Sequence, residues 1–249
     1  MDPEHAARQL IAARTGGPAV HWRDILPADR AGAYAIQDAT VAAMGPIAGW
    51  KVGAKNPQAE PHCAPLPASG IRASGAMLTG PAWRWRCIEV EIAFRLGRDL
   101  DPQGRLLAPV ELAQAFDAVL PVVEVVESRL FEGHIADPLA QLADLQCHGA
   151  LVLGSPSALP PAQVDLRTLE ASLRFNGALA AHTHGGNPAQ DVWRLLSWLA
   201  LHCAQRGQPL RAGQIVTTGS CTGMLNAPLG LPVRGEMTEV GAVELRFEP

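Results

Sequence analysis

The chain has 249 residues, of which 48% are hydrophobic and 18% are charged, and its formal charge at pH 7 is −4. This composition is typical of a globular protein with a sizeable core. The small negative charge gives no electrostatic basis for binding nucleic acid or an anionic membrane, and no apolar run reaches the length of a membrane span.

Cysteine usage and the N-terminus indicate the compartment. The five cysteines are scattered, odd in number and without a CxxC pair, which favours free thiols in a reducing environment. Residues 1–5 lack the basic and apolar regions with which a signal peptide begins. We therefore expect a cytoplasmic protein.

The first elements in chain order are two helices, at about residues 3–15 and 27–44, followed by a short apolar strand at residues 47–53. Lys51 lies inside this strand, and its side chain either extends out to solvent or is a buried amine. Only Lys51 and Lys55 among the 20 Lys and Arg residues are lysines. Because ordinary surface positions of this chain take arginine, a retained lysine favours a role that needs an ammonium group.

Residues 56–81 are rich in Pro, Gly, Ala and Ser, and this composition predicts a long irregular connection. His62 and Cys63 lie in it without the spacing of paired metal ligands. We therefore assign neither of them a function.

Residues 88–94 alternate between apolar and other residues with period two, which predicts a β-strand with Glu89 and Glu91 side by side on one face. Two neighbouring carboxylates repel each other unless water covers them or a cation lies between them. This face is therefore either solvated or half of a site for a hard metal ion such as Mg²⁺ or Mn²⁺.

A valine-rich strand at residues 120–129 carries Glu124 near its centre. A carboxylate within such a run has to be paired, protonated or bound to metal, because burying it alone is costly. Glu124 is therefore the natural third ligand beside the two glutamates of the preceding strand. Glu127 and Arg129, at the end of the run, either form an ion pair with each other or continue the site.

Three further elements are predicted in the following part of the chain. They are a strand at residues 148–154, an edge strand at about residues 166–176 and the longest helix at about residues 188–206. Asn187 fits the N-cap of this helix. His182 and His184 have strand-like spacing, but no third nitrogen ligand is visible, so we do not assign them to a metal.

Residues 214–223 predict a strand that runs into a glycine-spaced loop rich in hydroxyl groups, including Thr218 and Ser220. Exposed backbone N–H groups and hydroxyls of such a loop bind a carboxylate well, although an ordinary tight turn has the same sequence features. No GxGxxG or GxxxxGKS/T motif predicts a nucleotide site. Two final strands are predicted near residues 232–234 and 240–247.

Four motifs occur together and in order, namely Gly-Trp-Lys-Val-Gly at 49–53, Glu-Val-Glu at 89–91, Val-Glu-Val-Val-Glu-Ser-Arg at 123–129 and Thr-Thr-Gly-Ser-Cys-Thr-Gly at 217–223. With them the chain resembles, over nearly its whole length, the 2-oxopent-4-enoate hydratase and 4-oxalocrotonate decarboxylase branch of the fumarylacetoacetate hydrolase superfamily. The resemblance implies an α+β fold, a mixed β-sandwich roll with flanking helices. It also implies a single catalytic domain over residues 1–249, with a helical N-terminal part, residues 1–46, packed on the roll.

The resemblance further implies the chemistry of the site. Mg²⁺ or Mn²⁺ would be held by Glu89, Glu91 and Glu124 and would chelate the 2-oxo and carboxylate oxygens of a small unsaturated 2-oxo acid. Lys51 matches the family's lysine near the substrate, which assists proton transfer or holds the carboxylate, and Ser220 matches a loop residue that contacts substrate. The remaining assigned residues are Glu127 as a catalytic group and Thr218 and Arg129 as substrate-binding groups.

The chain departs from the family at one position. Family hydratases carry an acidic residue before the methionine of a motif like GxLxxDM, whereas the matching segment here, residues 70–78, contains no acid. Our leading interpretation is a metal-dependent hydratase of a 2-hydroxydienoic acid, such as 2-hydroxypenta-2,4-dienoate, in aromatic-compound catabolism. The alternatives are a 4-oxalocrotonate-type decarboxylase, then a C–C hydrolase, for which no His–Glu pair is visible, and a non-catalytic binding or partner subunit. The resemblance implies a homo-oligomer and allows a hydratase–decarboxylase complex.

Overall fold

The computed structural model describes all residues, 1–249, and contains two large mixed β-sheets with flanking helices. The α-helices are α1 (Pro3–Arg14), α2 (Arg30–Met44), α3 (Pro109–Ala113), α4 (Pro138–Ala143) and α5 (Val192–Gln205). The strands are β1 (Val20–His21), β2 (Ile47–Gly53), β3 (His62–Pro67), β4 (Ile71–Ala73), β5 (Ala76–Thr79), β6 (Cys87–Leu96), β7 (Phe116–Val126), β8 (Leu130–Phe131), β9 (His148–Leu153), β10 (Glu170–Phe175), β11 (Ala178–His184), β12 (Ile215–Ser220), β13 (Leu225–Asn226), β14 (Pro232–Met237) and β15 (Gly241–Glu248). None of the helices combines the length and apolar character needed to cross a membrane.

The larger sheet has the strand order β3-β2-β12-β6-β7-β9-β4, and β13 pairs with the start of β6. Its central strands β6 and β7 are antiparallel, whereas β2 is parallel to β12 and β4 is parallel to β9. The apolar residues that alternate with the glutamates of β6, from Ile88 to Phe94, are completely buried. The period-two pattern therefore predicted both the strand and its core face correctly.

The smaller sheet, with the order β11-β10-β14-β15-β5, packs on that core face. Gly235 of β14 marks the close approach, because a Cβ at this position would lie 2.9 Å from Val90 and 3.0 Å from Val123. The apolar side chains between the two layers form one continuous core. The expected mixed β-sandwich with flanking helices is confirmed.

The two N-terminal helices begin at side chains that cap them. Asp2 accepts a hydrogen bond from the Glu4 N–H at 3.1 Å at the start of α1. Asp29 accepts one from the Gly32 N–H at 2.8 Å, so α2 begins after this residue and later than the sequence predicted. α1 packs on α2, and α2 packs on α4.

The prediction of an irregular connection at residues 56–81 was wrong, since this segment contains β3, β4 and β5. All three strands lie at the ends of sheets. A strand at the edge of a sheet tolerates proline, which lacks a backbone N–H, and β3 accordingly contains Pro65 and Pro67. The proline content of the segment therefore indicated edge strands rather than a loop.

The prediction of an edge strand at residues 166–176 was also wrong. β10 pairs with β11 on one side and with β14 on the other. The predicted hairpin turn at Asn176 and Gly177 is present, with φ of 48° and 82°. This turn adds β11 outside β10, so the edge is the strand that carries His182 and His184.

The longest helix, α5, begins at Val192 because Asp191 caps it, accepting a hydrogen bond from the Arg194 N–H at 3.1 Å. The assignment of Asn187 as the N-cap was therefore wrong. Asn187 instead donates hydrogen bonds from its side chain to the carbonyls of residues 218–219, at 3.0 and 2.9 Å. It holds the loop after β12 in place.

Candidate metal and substrate site

Five neighbouring strands of the larger sheet, β2, β12, β6, β7 and β9, bring the site together. Lys51 of β2 pairs with Thr217 of β12, and Glu89 of β6 pairs with Glu124 of β7. Paired residues project from the same face of a sheet. The lysine, the threonine and the glutamates therefore share the face that is turned away from the smaller sheet.

Three glutamates converge on this face. One carboxylate oxygen from each of Glu89, Glu91 and Glu124 lies within 4.8 Å of the other two. Glu91 and Glu124 are 1% and 0% exposed, whereas Glu89 is partly exposed. A fully solvated strand face is therefore excluded, and the structure brings together all three residues that we expected to bind metal.

Glu91 is held by an irregularity in β12. Its Oε2 accepts hydrogen bonds from the Thr217 hydroxyl and, at 3.0 Å, from the Gly219 N–H. The pairing of β12 with β6 shifts register between Thr217 and Ser220, and Gly219 has a φ of 91°, which favours glycine. This bulge directs an N–H group at the carboxylate instead of at the neighbouring strand.

Glu124 is held by Lys51 and His148. The Lys51 amine donates to Glu124 Oε1, and His148 Nδ1 lies 3.3 Å from the same oxygen. Lys51 also donates to the Gln146 carbonyl at 3.1 Å. Lys51 is therefore a buried amine rather than a side chain directed to solvent. Glu124 Oε2, in contrast, is buried and has no hydrogen-bond partner.

The turn that supplies the Gln146 carbonyl has an unusual backbone. Leu145, Gln146 and Cys147 have φ of 50°, 53° and 56°, all in the left-handed region. Three consecutive non-glycine residues in this region are strained, and such strain often accompanies binding and catalytic sites. No motif in the sequence predicts this turn.

The site contains more carboxylates than cations. Burial and the nearby Glu124 raise the pKa of Glu89 to about 7, and burial with both neighbouring glutamates raises the pKa of Glu91 to about 8. Burial disfavours the charged forms of Glu124 and Lys51, but their attraction for each other outweighs it, which lowers the pKa of Glu124 and raises that of Lys51. Without a further cation, the three carboxylates are not all ionised at neutral pH.

A divalent cation fits these residues. Mg²⁺ and Mn²⁺ prefer carboxylate oxygens, and the cluster offers three that are close together. The buried Glu124 Oε2 is an acceptor that the protein itself leaves without a partner, and a bound ion would satisfy it. The ion would also balance the excess negative charge.

The glutamates line a cavity of about 870 Å³, here named the carboxylate cavity. Lys55, Arg84 and Arg86 also line it and add positive charge away from the glutamates. Burial and nearby cationic groups lower the pKa of His62, another lining residue, to about 4, so that it is neutral at pH 7. The cavity therefore combines a site for a cation with groups that attract an anion.

Thr218 and Ser220 both line the carboxylate cavity. The Thr218 hydroxyl donates to the Ile92 carbonyl at 3.0 Å and is thereby committed to the sheet. Ser220 Oγ is buried and has no hydrogen-bond partner. Of the two hydroxyls, only that of Ser220 is free to bind a ligand.

Glu127 and Arg129 do not line the carboxylate cavity, and they do not pair with each other. The Glu127 carboxylate accepts hydrogen bonds from the N–H groups of residues 85–86 at 2.9 and 3.3 Å. Arg129 donates to Asp144 Oδ1 at 2.6 Å and to the His148 carbonyl at 2.9 Å. Both residues therefore hold segments that border the site. The sequence had suggested either an ion pair between them or a continuation of the site, and the observed contacts differ from both.

Three residues of the site had no role predicted from the sequence. His148 contacts Glu124, and the only signal for it was a polar residue at the start of an apolar strand. His62 and Cys63 were assigned no function, yet both line the carboxylate cavity from β3. Residues 70–78, in contrast, contribute nothing to its lining. No acidic group from that segment compensates for the one missing from the family motif.

The fold and the cluster of three carboxylates define a class of β-sandwich proteins with a site suited to a divalent metal ion. The model of the fumarylacetoacetate (FAA) hydrolase C-terminal family matches residues 35–246. The chain belongs to this family, and the resemblance found from the four sequence motifs is confirmed.

Two characterised relatives are hydratases by name. The chain is 32% identical over 161 residues to 2-keto-4-pentenoate hydratase of Paraburkholderia xenovorans (strain LB400), a match that covers 65% of this chain and 58% of the relative. It is 29% identical over 243 residues to 2-keto-4-pentenoate hydratase 2 of Dechloromonas aromatica (strain RCB), which covers 92% and 91% of the two chains. The match therefore spans less than two thirds of the first relative and almost all of the second.

A similar solved structure is 4-oxalocrotonate decarboxylase from Pseudomonas putida G7, complexed with magnesium and adipate. Its TM-score is 0.85, and the match covers 98% of this chain and 97% of that one. The sequence identity is 24%, so this likeness shows the fold alone.

Proposed function

We propose that the protein is a metal-dependent hydratase, a lyase that adds water to a small unsaturated 2-oxo acid such as 2-hydroxypenta-2,4-dienoate in the catabolism of aromatic compounds. The observation that carries this proposal is the convergence of carboxylate oxygens from three glutamates within 4.8 Å, beside the Lys51 amine that donates a hydrogen bond to Glu124. The relatives named 2-keto-4-pentenoate hydratase support the same chemistry.

Glu89, Glu91 and Glu124 would hold the metal, Mg²⁺ or Mn²⁺. When bound, the ion supplies a Lewis acid that stabilises negative charge on the 2-oxo oxygen of the substrate. The protein contributes the orientation of the ligands: the hydrogen bonds from β12 fix Glu91, and the contacts with Lys51 and His148 fix Glu124.

Lys51 would deliver the proton. The 2-hydroxydienoate first ketonises, as its terminal carbon gains a proton and the enol oxygen loses one; water then adds to the remaining alkene, with the hydroxyl group on C4 and a proton on C3. Burial opposes the charge of Lys51, but the surrounding glutamates raise its pKa, so its amine is protonated at neutral pH. A cation bound to the glutamates would weaken this effect and make the ammonium a better proton donor. We assign substrate binding to this ammonium and to the free hydroxyl of Ser220. Thr218 would contribute as part of the cavity lining. Glu127 and Arg129 would act as positioning residues, since neither reaches the carboxylate cavity.

Decarboxylation of a 4-oxalocrotonate-type acid is the second candidate. Two observations favour it: residues 70–78 supply no acid for water addition, and Lys55, Arg84 and Arg86 provide positive charge for the second carboxylate of such a dicarboxylic acid. In this reaction the electrons released by loss of CO₂ move toward the 2-oxo group, and Lys51 supplies the proton that replaces the carboxylate. The same metal ligands would serve both reactions.

We further propose that residues 1–249 act as one catalytic domain with residues 1–46 packed on the β-sandwich, and that the chain forms a homo-oligomer, alone or in a hydratase–decarboxylase complex. A cytoplasmic location is supported by the cysteines, all five of which are free and buried.

An ultraviolet assay of purified, metal-stripped protein tests the proposal. The substrates are 2-hydroxypenta-2,4-dienoate and 4-oxalocrotonate, each with and without added Mg²⁺ or Mn²⁺. We expect metal-dependent loss of the dienoate absorbance with a hydroxy-oxo acid as product. Release of CO₂ from oxalocrotonate, without hydration of the dienoate, would select the decarboxylase. Turnover that is independent of metal would contradict both candidates.

A further inference from the structure

A second cavity, of about 690 Å³, lies on the opposite side of His148 from the carboxylate cavity. It is here named the arginine cavity because Arg14, Arg72, Arg84 and Arg129 line it. His148 separates the two cavities, since its Nδ1 lies 3.3 Å from Glu124 and its residue also lines the arginine cavity. No ligand assigned above occupies this second space, although Arg84 lines both cavities.

The charges around the arginine cavity are not balanced. Its one acidic lining residue, Glu127, has both carboxylate oxygens occupied by backbone N–H groups. Arg129 is paired with Asp144. Arg14, Arg72 and Arg84 have no carboxylate partner, and each is fixed instead by a backbone carbonyl, at 3.0, 2.7 and 3.1 Å. The four lining arginines thus carry more positive charge than Glu127 and the nearby Asp144 balance.

Arg14 is the central residue of this arrangement. It is partly buried, and its only hydrogen bond within the protein goes to the His148 carbonyl. Burial and the neighbouring Arg129 lower the pKa of Arg14, which reflects the cost of keeping its charge there, although a guanidinium remains charged at neutral pH. Arg14 lies in the last turn of α1, where a basic residue interacts favourably with the helix dipole. This position does not explain why no carboxylate lies beside Arg14.

A second, independent observation concerns His148 Nε2. This atom is buried and has no hydrogen-bond partner. A Cβ on Gly70, which also lines the arginine cavity, would lie 2.9 Å from Nε2, so the atom faces the same side as Arg14. Because Nδ1 faces the Glu124 carboxylate and donates to it, Nε2 is an acceptor, and it fits an anion that keeps an O–H group, such as hydrogen phosphate. This ring nitrogen and the guanidinium groups border one space.

We propose that the arginine cavity binds a small oxyanion, a carboxylate or a phosphate, held mainly by Arg14 with Arg72 and Arg84 at its sides. Each guanidinium uses one edge for a backbone carbonyl and presents the other N–H groups to the anion, which suits the planar, two-oxygen face of these ligands. The anion would be a ligand separate from the substrate of the proposed reaction. Because Arg14 also holds the backbone of His148, an anion bound here contacts the structure that orients Glu124.

Isothermal titration calorimetry tests this site. The full-length, metal-free protein is titrated with sodium phosphate and, separately, with sodium succinate, at constant ionic strength kept with chloride. We expect saturable binding of one anion per chain in at least one titration. The anion that binds shows whether the site takes a phosphate or a carboxylate. Arg14→Gln is expected to weaken it at least about tenfold, since it removes a charge-assisted contact. The exposed Arg98→Gln is the matched control and is expected to leave it unchanged.

Two further variants keep the test decisive. Arg72→Gln, at the rim of the arginine cavity, is expected to weaken binding about threefold and replaces Arg14→Gln if that variant does not fold. Arg86 lines the carboxylate cavity and not the arginine cavity, and Arg86→Gln is expected to bind normally. The proposal is overturned if neither anion binds, if binding is unaffected by Arg14→Gln and Arg72→Gln, or if Arg86→Gln alone removes it.

Discussion

Two buried ionic clusters meet at His148, and they differ in how their polar groups are satisfied. In one, Arg129 Nε donates to Asp144 Oδ1 at 2.6 Å, and the Ser128 hydroxyl donates to Asp144 Oδ2 at 2.9 Å. In the other, the glutamate cluster, Glu124 Oε2 has no partner and three carboxylates face one lysine. Both clusters are buried, so burial alone does not separate a structural ion pair from a ligand site.

The two clusters differ in whether the protein alone pairs their charges and polar groups. The Arg129–Asp144 pair is closed within the chain, and it ties the end of β7 to the turn before β9. In the glutamate cluster, an added cation is needed to pair Glu124 Oε2 and to balance the three carboxylates. A buried polar group without a partner and pKa values shifted by neighbouring like charges are features of functional sites.

Glu124→Gln is expected to reduce metal-dependent turnover by at least about 10⁴-fold while the fold is retained, because it removes a ligand charge from the metal site. The ultraviolet assay measures turnover, and circular dichroism checks the fold. Glu132→Gln is the matched control, since it makes the same change at an exposed position outside the carboxylate cavity. Full activity of Glu124→Gln would show that the three-carboxylate site is not used.

Asp144→Asn is expected to lower the free energy of unfolding by about 3–5 kcal/mol, because it leaves the buried Arg129 without its counter-charge. Urea unfolding measures this change. Glu91→Gln in the metal-free protein is the comparison, and its expected loss is below about 1 kcal/mol, since burial and the two neighbouring glutamates already disfavour the charge of Glu91. Equal losses in the two variants would remove the distinction drawn between the clusters.

Lys51→Ala is expected to lower kcat by about 10²- to 10³-fold, because the cavity loses its proton donor. Metal affinity is expected to change far less than kcat, since the three carboxylates remain. Steady-state kinetics at saturating metal, with a calorimetric metal titration, separate the two quantities. An unchanged kcat would return Lys51 to a purely structural role.

His62 gives a prediction for pH dependence. Its pKa is lowered to about 4 in the folded protein, from an ordinary value of 6.5. The unfolded chain therefore binds a proton more readily between these values, and His62 contributes stability that is present above pH 6.5 and is lost as the pH falls toward 4. His62→Asn is expected to make the unfolding free energy less sensitive to acid in this window, by roughly 1–3 kcal/mol. Parallel pH profiles of the two proteins would contradict this.

The sequence predicted the centre of the fold better than its edges. The period-two pattern of β6 and the glutamate inside the valine-rich β7 placed three carboxylates correctly, because an alternating strand fixes which residues share a face. The edge strands β3, β4 and β5 were missed because prolines and glycines are tolerated where a strand has only one neighbour. Local composition does not distinguish such a strand from a loop.

The contacts that tune the site depend on residues that are distant in the chain. The Gln146 carbonyl reaches Lys51 through a left-handed turn, and His148 reaches Glu124 from the next strand. Neither contact has a local signature. The same holds for Arg129, which lies within the matched motif but pairs with Asp144 instead of reaching the cavity.

A calorimetric titration of metal-stripped protein with Mg²⁺ and Mn²⁺ tests the central claim most directly. We expect one ion to bind per chain to the native protein, with binding lost or weakened at least about 100-fold in Glu124→Gln. Absence of saturable binding by the native protein, or native-like binding by Glu124→Gln, would contradict the account of the three glutamates as a metal site.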